Sequence, residues 1–86
     1  MARYFFDIDD GDLSTRDDAG VELPGAEQAR AQAVSVVPEI ARDVLRADTE
    51  TREITVRVRD AGGAEVYRAL LSFRAEWTAG APASEA

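Results

Sequence analysis

Alternating apolar and polar positions near the N-terminus predict the first two strands of a sheet. In residues 3–9, Tyr4, Phe6 and Ile8 share one face, which is typical of a strand with one buried side. Residues 20–23 form a shorter apolar run that can return beside this strand. Because the segment between them is rich in aspartate and contains the turn Asp10-Gly11, the pattern predicts a hairpin with a long acidic tip.

Apolar residues at helical spacing predict a helix over residues 26–47. Pro38 lies inside it and lacks the amide that would bond the carbonyl of Val34, at a cost of about 3 kcal/mol in a regular helix interior. We therefore expect a kink at Pro38, or two short helices with Pro38 opening the second. The apolar stripe comprises Ala26, Ala29, Ala33, Val37, Ile40, Ala41 and Val44, with Val34 and Leu45 flanking it.

Two more strands follow the helix. Residues 52–59 alternate cleanly between apolar and polar side chains. Residues 65–76 predict the last strand, with Tyr67, Ala69, Leu71 and Phe73 on one face and Val66, Arg68, Leu70, Ser72 and Arg74 on the other. Gly62-Gly63 between them is a strong turn signal. Trp77 has the parity of Leu71 and Phe73, and we expect it to cover the edge of the core.

The predicted order is β-β-α-β-β, which indicates an α+β fold. One kinked helix packed on a three- or four-stranded, mainly antiparallel sheet lets all the apolar faces share one core. We expect a single domain over residues 1–77 and a disordered C-terminal tail over residues 78–86, where small and polar residues dominate.

Composition excludes several chemistries. The 86 residues include no cysteine and no histidine, and all ten basic residues are arginine. Thiolate metal sites, imidazole acid–base catalysis and lysine Schiff bases are therefore excluded. We expect a protein without catalytic residues and without a cofactor.

The formal net charge of −7 disfavours binding to nucleic acid and to anionic membranes. The N-terminal residues lack the long apolar stretch of a signal peptide, so we expect a cytoplasmic protein. The sheet offers Phe5 as the only aromatic on its outer face, which is too few for RNA recognition by base stacking.

The segment FFDIDDGD, taken alone, resembles the first motif of haloacid-dehalogenase-like phosphatases. The resemblance would make Asp7 the nucleophile and Asp9 the acid and base, but Gly11 stands where that family has Thr or Val. That family also needs a lysine and a much longer doubly wound fold. The chain has neither, which argues against the phosphatase interpretation.

The same acidic loop has two other interpretations. Counted from Asp7, Asp9 and Asp18 fall at the third and twelfth places of an EF-hand loop, but its glycine falls at the fifth place instead of the sixth. One interpretation is a solvated acidic turn. The other is a weak Ca²⁺ or Mg²⁺ site, for which the candidate ligands are Asp7, Asp9, Asp10, Asp12 and Asp18.

The sheet face opposite the helix is the candidate contact surface. The first 28 residues hold eight acids and two arginines, whereas five arginines lie between residues 52 and 74. This asymmetry, together with exposed apolar residues, indicates a homodimer or binding to another protein. The residues predicted to make the contact are Phe5, Arg57, Arg68, Leu70 and Arg74.

Five features together resemble a family of short bacterial proteins, frequent in α-proteobacteria, that is catalogued as a domain of unknown function. They are the opening RYFFD, the Asp10-Gly11 turn, the segment DDAGVELP at residues 17–24, the alanine-rich helix and the hairpin around DAGG at residues 60–63. Pro38 and the Trp77 tail depart from the family. The resemblance implies the architecture and no activity.

The chain is also remotely similar to small antitoxin domains of the HicB type, which combine a strand pair with an amphipathic helix. That similarity implies a protein that binds and neutralises a partner. The strand order agrees only in part, and a DNA-binding tail is not recognisable in the sequence.

Overall fold

The computed structural model describes residues 1–82 and contains five strands and one helix. Their order is β-β-β-α-β-β. No helix within residues 1–82 is long and apolar enough to cross a membrane. The elements are β1 (Ala2–Asp9), β2 (Ser14–Thr15), β3 (Val21–Leu23), α1 (Ala26–Val44), β4 (Thr51–Arg59) and β5 (Glu65–Arg74).

The strands form one antiparallel sheet with β1 and β4 at its centre and β5 at one edge. Two short strands share the other side of β1: β3 pairs with its first residues and β2 with its last two. The predicted α+β fold is confirmed. The sheet has five strands, more than the three or four predicted, because the two-residue β2 is too short to show alternation.

The core lies between α1 and one face of the sheet. Ile54, Val56 and Val58 of β4 are fully buried, and the ring of Tyr4 is buried beside them. Burying each aliphatic side chain contributes about 1.5–3 kcal/mol. Helix and sheet approach closely because α1 presents alanines to this layer, Ala29 and Ala33.

The predicted apolar stripe of α1 is rotated slightly. Val36, which the sequence analysis left out, packs against the core with Val37 and Ile40. Ala26 is exposed instead, and Val34 is 49% exposed. The spacing 29, 33, 36, 37 and 40 therefore defines the buried side of the helix.

A single helix continues through Pro38, so the alternative of two short helices is wrong. The carbonyl of Val34, which has no partner amide at Pro38, belongs to a half-exposed residue to which water can donate a hydrogen bond. The helix ends at Val44, earlier than predicted, because Leu45 is extended. The guanidinium of Arg52 donates to the carbonyls of Val44 and Asp10, at 3.5 and 3.2 Å, and so ties the helix end to the acidic hairpin.

The prediction that Trp77 covers the core edge is wrong. Strand β5 ends at Arg74, so Trp77 lies beyond the sheet and is 68% exposed. The amide of Ala75 makes a last sheet-like hydrogen bond to the carbonyl of Glu50 at 2.7 Å. Residues 75–82 contain no helix or strand, and residues 83–86 of the predicted tail lie outside the described residues.

Candidate interaction face

The sheet surface opposite α1, called the open face below, brings side chains of β1, β4 and β5 into rows. In one row Asp7 lies opposite Arg57, which lies opposite Arg68. In the next row Asp9, Thr55 and Leu70 follow one another. Four of the five predicted contact residues lie in or next to these rows, namely Phe5, Arg57, Arg68 and Leu70. Two of the candidate metal ligands, Asp7 and Asp9, lie in the rows as well. Arg74 lies at the end of β5, opposite Thr51.

Phe5 lies on the open face but is half-buried rather than free. The guanidinium carbon of Arg59 lies 5.0 Å from the centre of its ring. The backbone of Gly20 also comes so close to the ring that a Cβ there would lie 2.9 Å from Phe5 Cε2. The loop before β3 therefore shields part of the Phe5 ring.

Asp7 and Arg59 form the most enclosed ion pair of this face, with side chains 21% and 15% exposed. Arg59 donates to both carboxylate oxygens, at 2.6 and 3.0 Å, and its Nη2 also donates to the carbonyl of Asp17 at 2.9 Å. These hydrogen bonds from Arg59 lower the pKa of Asp7.

Asp17 closes the gap between β2 and β3 along the edge of β1. Its carboxylate accepts the amides of Gly20 and Phe6, both at 3.0 Å, and its own amide donates to Asp7 Oδ1 at 2.9 Å. The hydrogen bonds from Gly20 and Phe6 lower the pKa of Asp17. Asp17 thus supplies hydrogen bonding that a longer strand would otherwise provide.

The arginines toward β5 are each matched with an acid. Glu65 lies at a β-bulge and binds Arg68 at 2.8 Å and Arg57 at 3.6 Å. Arg74 lies 3.5 Å from Glu76. All these side chains are substantially exposed, so the pairs add little stability, but they reduce the free positive charge of the face.

The side chain of Leu70 is largely exposed to solvent. It is 59% exposed in the middle of β5, and Val66 on the same strand is 44% exposed. Within residues 1–82, β5 pairs with β4 alone and its outer edge is open. The open face therefore combines a packed half around Phe5 with an uncovered apolar half along β5.

Residues 3–72 match the family model described as "Domain of unknown function (DUF6894)". These residues include all of the helix and most of the sheet. The chain belongs to DUF6894. The expectation of a short domain of unknown function is thereby confirmed. No curated protein and no solved structure matches the chain.

In this DUF6894 domain the acidic hairpin uses its carboxylates to build turns. Asp9 accepts the amide of Gly11 at 2.9 Å and the hydroxyl of Ser14 at 3.1 Å. Asp10 accepts the amides of Leu13 at 2.8 Å and Asp12 at 2.9 Å, and these hydrogen bonds lower its pKa. This is the turn chemistry for which aspartate is favoured in loops.

The five candidate metal ligands do not converge. Asp7 is bound to Arg59, Asp9 and Asp10 serve the turn, and Asp12 and Asp18 are exposed. Within residues 1–82 no group of three or more acidic side chains is arranged to hold a metal ion.

Asp17, Gly20 and Glu65 also organise this face, although the sequence pattern does not mark them for that role. Two of them, Asp17 and Gly20, lie in the segment DDAGVELP at residues 17–24. How this segment folds against Phe5 depends on contacts across the sheet, which the local sequence pattern does not encode.

Proposed function

We propose that this DUF6894 domain is a non-catalytic protein-binding module that associates with a second copy of itself through the β5 side of the open face. The proposal rests mainly on the exposure of the Leu70 side chain. A single exposed leucine is ordinary on a protein surface. Leu70, however, shares β5 with the exposed Val66, and the outer edge of β5 is unpaired within residues 1–82, so an apolar contact and a hydrogen-bonding edge lie together.

The size of the chain supports self-association. A domain of 86 residues buries a modest fraction of its surface, so its stability gains from any partner that binds only the folded state. The pairing of Arg68 and Arg57 with Glu65 also supports it, because two copies of a partly neutralised face repel each other less.

The proposal includes no catalytic step. The acids nearest the centre of the open face are engaged: Asp7 binds Arg59, and Asp9 closes the hairpin turn. A general acid or base would need a carboxylate free to exchange protons with a substrate.

A different protein is the alternative occupant of this surface, and the antitoxin similarity suggests one class of partner. A domain that binds only a different protein would be monomeric on its own. The mass of the isolated chain therefore separates the two possibilities.

The test is the substitution Leu70→Glu, with Leu13→Glu as the matched control. Leu13 is also exposed, at 66%, but lies on the acidic hairpin and not on β5. We expect sedimentation to show a dimer for the parent and for L13E, and at least about tenfold weaker association for L70E, since each copy loses an apolar contact and gains a buried charge. A dimer of unchanged affinity in L70E would refute the proposal.

A further inference from the structure

Strand β5 is an edge strand whose central residues lack the usual protection. Natural edges carry prolines, lysines or bulges that block pairing with another chain. β5 has a bulge near its start and arginines at positions 68 and 74, but the segment between these arginines reads Ala-Leu-Leu-Ser-Phe. Residues 69–73 thus form a regular, largely apolar edge that nothing within residues 1–82 covers.

The direction of the free backbone groups follows from the register. The amide of Ala75 donates to the carbonyl of Glu50, and the pairing continues from Thr51 opposite Arg74. Because hydrogen-bonded and non-hydrogen-bonded pairs alternate in an antiparallel ladder, odd-numbered residues of β5 bond to β4. The amides and carbonyls of Arg68, Leu70, Ser72 and Arg74 therefore point away from the sheet.

We propose that β5 pairs with β5 of a second copy, antiparallel and with Leu70 opposite Leu70, so that two sheets join into one. The inference rests on the proposed function and specifies its geometry. On the open face Arg68 then lies opposite Ser72. On the helix side Ala69 lies opposite Leu71 and Tyr67 opposite Phe73, an aromatic pair of the kind that stabilises neighbouring strands.

The side chains that meet at the ends of the strands favour this register over its neighbours. Moving the two-fold axis one residue to Leu71 would set Arg68 opposite Arg74, and like charges directly opposite each other are destabilising. Moving it to Ala69 would set Glu65 opposite Phe73. With the axis at Leu70, Arg74 of each copy reaches the bulge that holds Glu65 of the other, so opposite charges meet at both ends.

The helix side of this edge is also incompletely covered. Tyr67, Leu71 and Phe73 are only half-buried although they face α1. Val34 of α1 is also 49% exposed. A second copy beside β5 would cover these apolar groups while the backbone pairs.

The chain has no cysteine, so introduced thiols report the register directly. Two variants, Arg68→Cys and Ser72→Cys, place their thiols opposite each other only when the two proteins are mixed. Opposite Cα atoms in such a pair are about 5.5 Å apart, within disulfide range. In either variant alone the thiols are four residues apart along the strand, about 13 Å.

We expect mild oxidation to cross-link the mixture at least tenfold faster than either variant alone. Val66→Cys mixed with Ser72→Cys would cross-link instead if the axis lay at Ala69. Thr55→Cys, one strand inward on the open face, would cross-link with itself only if two faces stacked. With a dimeric parent, the first result would overturn the register at Leu70 and the second would overturn the edge pairing. Both would leave the proposed function standing, whereas a monomeric parent would overturn the proposed function and the edge pairing together.

Discussion

Arg59 binds Asp7 through two hydrogen bonds and at the same time lies over the ring of Phe5, 5.0 Å from its centre. One guanidinium therefore fixes an acid of β1 and an aromatic ring two residues away. It also holds the loop before β3 by donating to the carbonyl of Asp17.

Stability is expected to fall in acid, because the pKa values of Asp7, Asp10 and Asp17 are lowered in the folded state. A carboxyl with a depressed folded-state pKa stabilises the fold fully above its unfolded pKa. That contribution is lost as the pH falls below about 4, toward the folded-state pKa values. Urea unfolding between about pH 7 and pH 3 measures this loss.

Asp7→Asn should lower the melting temperature by several degrees near neutral pH and make the acid loss of stability shallower. Asp12→Asn is the control, because Asp12 is exposed on the hairpin away from Arg59. Equal melting temperatures and equal pH profiles for the parent and D7N would show that the Arg59 pair does not hold the fold.

Gly20→Ala should destabilise the fold more than Gly63→Ala. Both glycines have positive φ, +72° and +90°, so both variants bear the left-handed strain of about 1–2 kcal/mol. Only at Gly20 would the new Cβ also press on Phe5 and Arg3, at 2.9 Å each, while Gly63 has nothing within 4 Å. We expect chemical denaturation to show about 1–3 kcal/mol of additional loss for G20A, and equal losses would contradict the packing of Gly20 on Phe5.

The acidic hairpin should not respond to divalent cations. Asp9 and Asp10 already accept hydrogen bonds from the backbone and Ser14, and Asp7 is neutralised by Arg59. We expect the same melting temperature with chelator and with millimolar Ca²⁺ or Mg²⁺. A rise of several degrees with either ion, lost in Asp9→Asn, would establish a cation site there, since a ligand that binds only the folded state raises its stability.

The strands were predictable because alternation alone determines which side chains face the core. Ile54, Val56 and Val58 were assigned inward from the sequence and are fully buried. Leu70 was assigned outward by the same parity and is exposed. Parity gives no information about what covers an outward side chain, and for that reason the shielding of Phe5 by Arg59 and Gly20 was missed.

The ends of elements and the long-range hydrogen bonds were less predictable. The apolar spacing predicts a helix that continues to residue 47. In the structure the helix ends at Val44, and the side chain of Arg52, eight residues further along the chain, donates a hydrogen bond to the carbonyl of Val44. In the sequence Asp17 is not distinguishable from the other aspartates of the loop. In the structure its carboxylate accepts a hydrogen bond from the amide of Phe6, 11 residues earlier in the chain. Such contacts depend on tertiary structure, which local periodicity does not report.

The most direct test of the central claim is the molar mass of the unmodified chain in dilute solution, measured by sedimentation equilibrium over a range of concentrations. Self-association through β5 predicts a mass that approaches twice the 9.3 kDa of one chain as concentration rises. A mass that stays at 9.3 kDa at every concentration would contradict it.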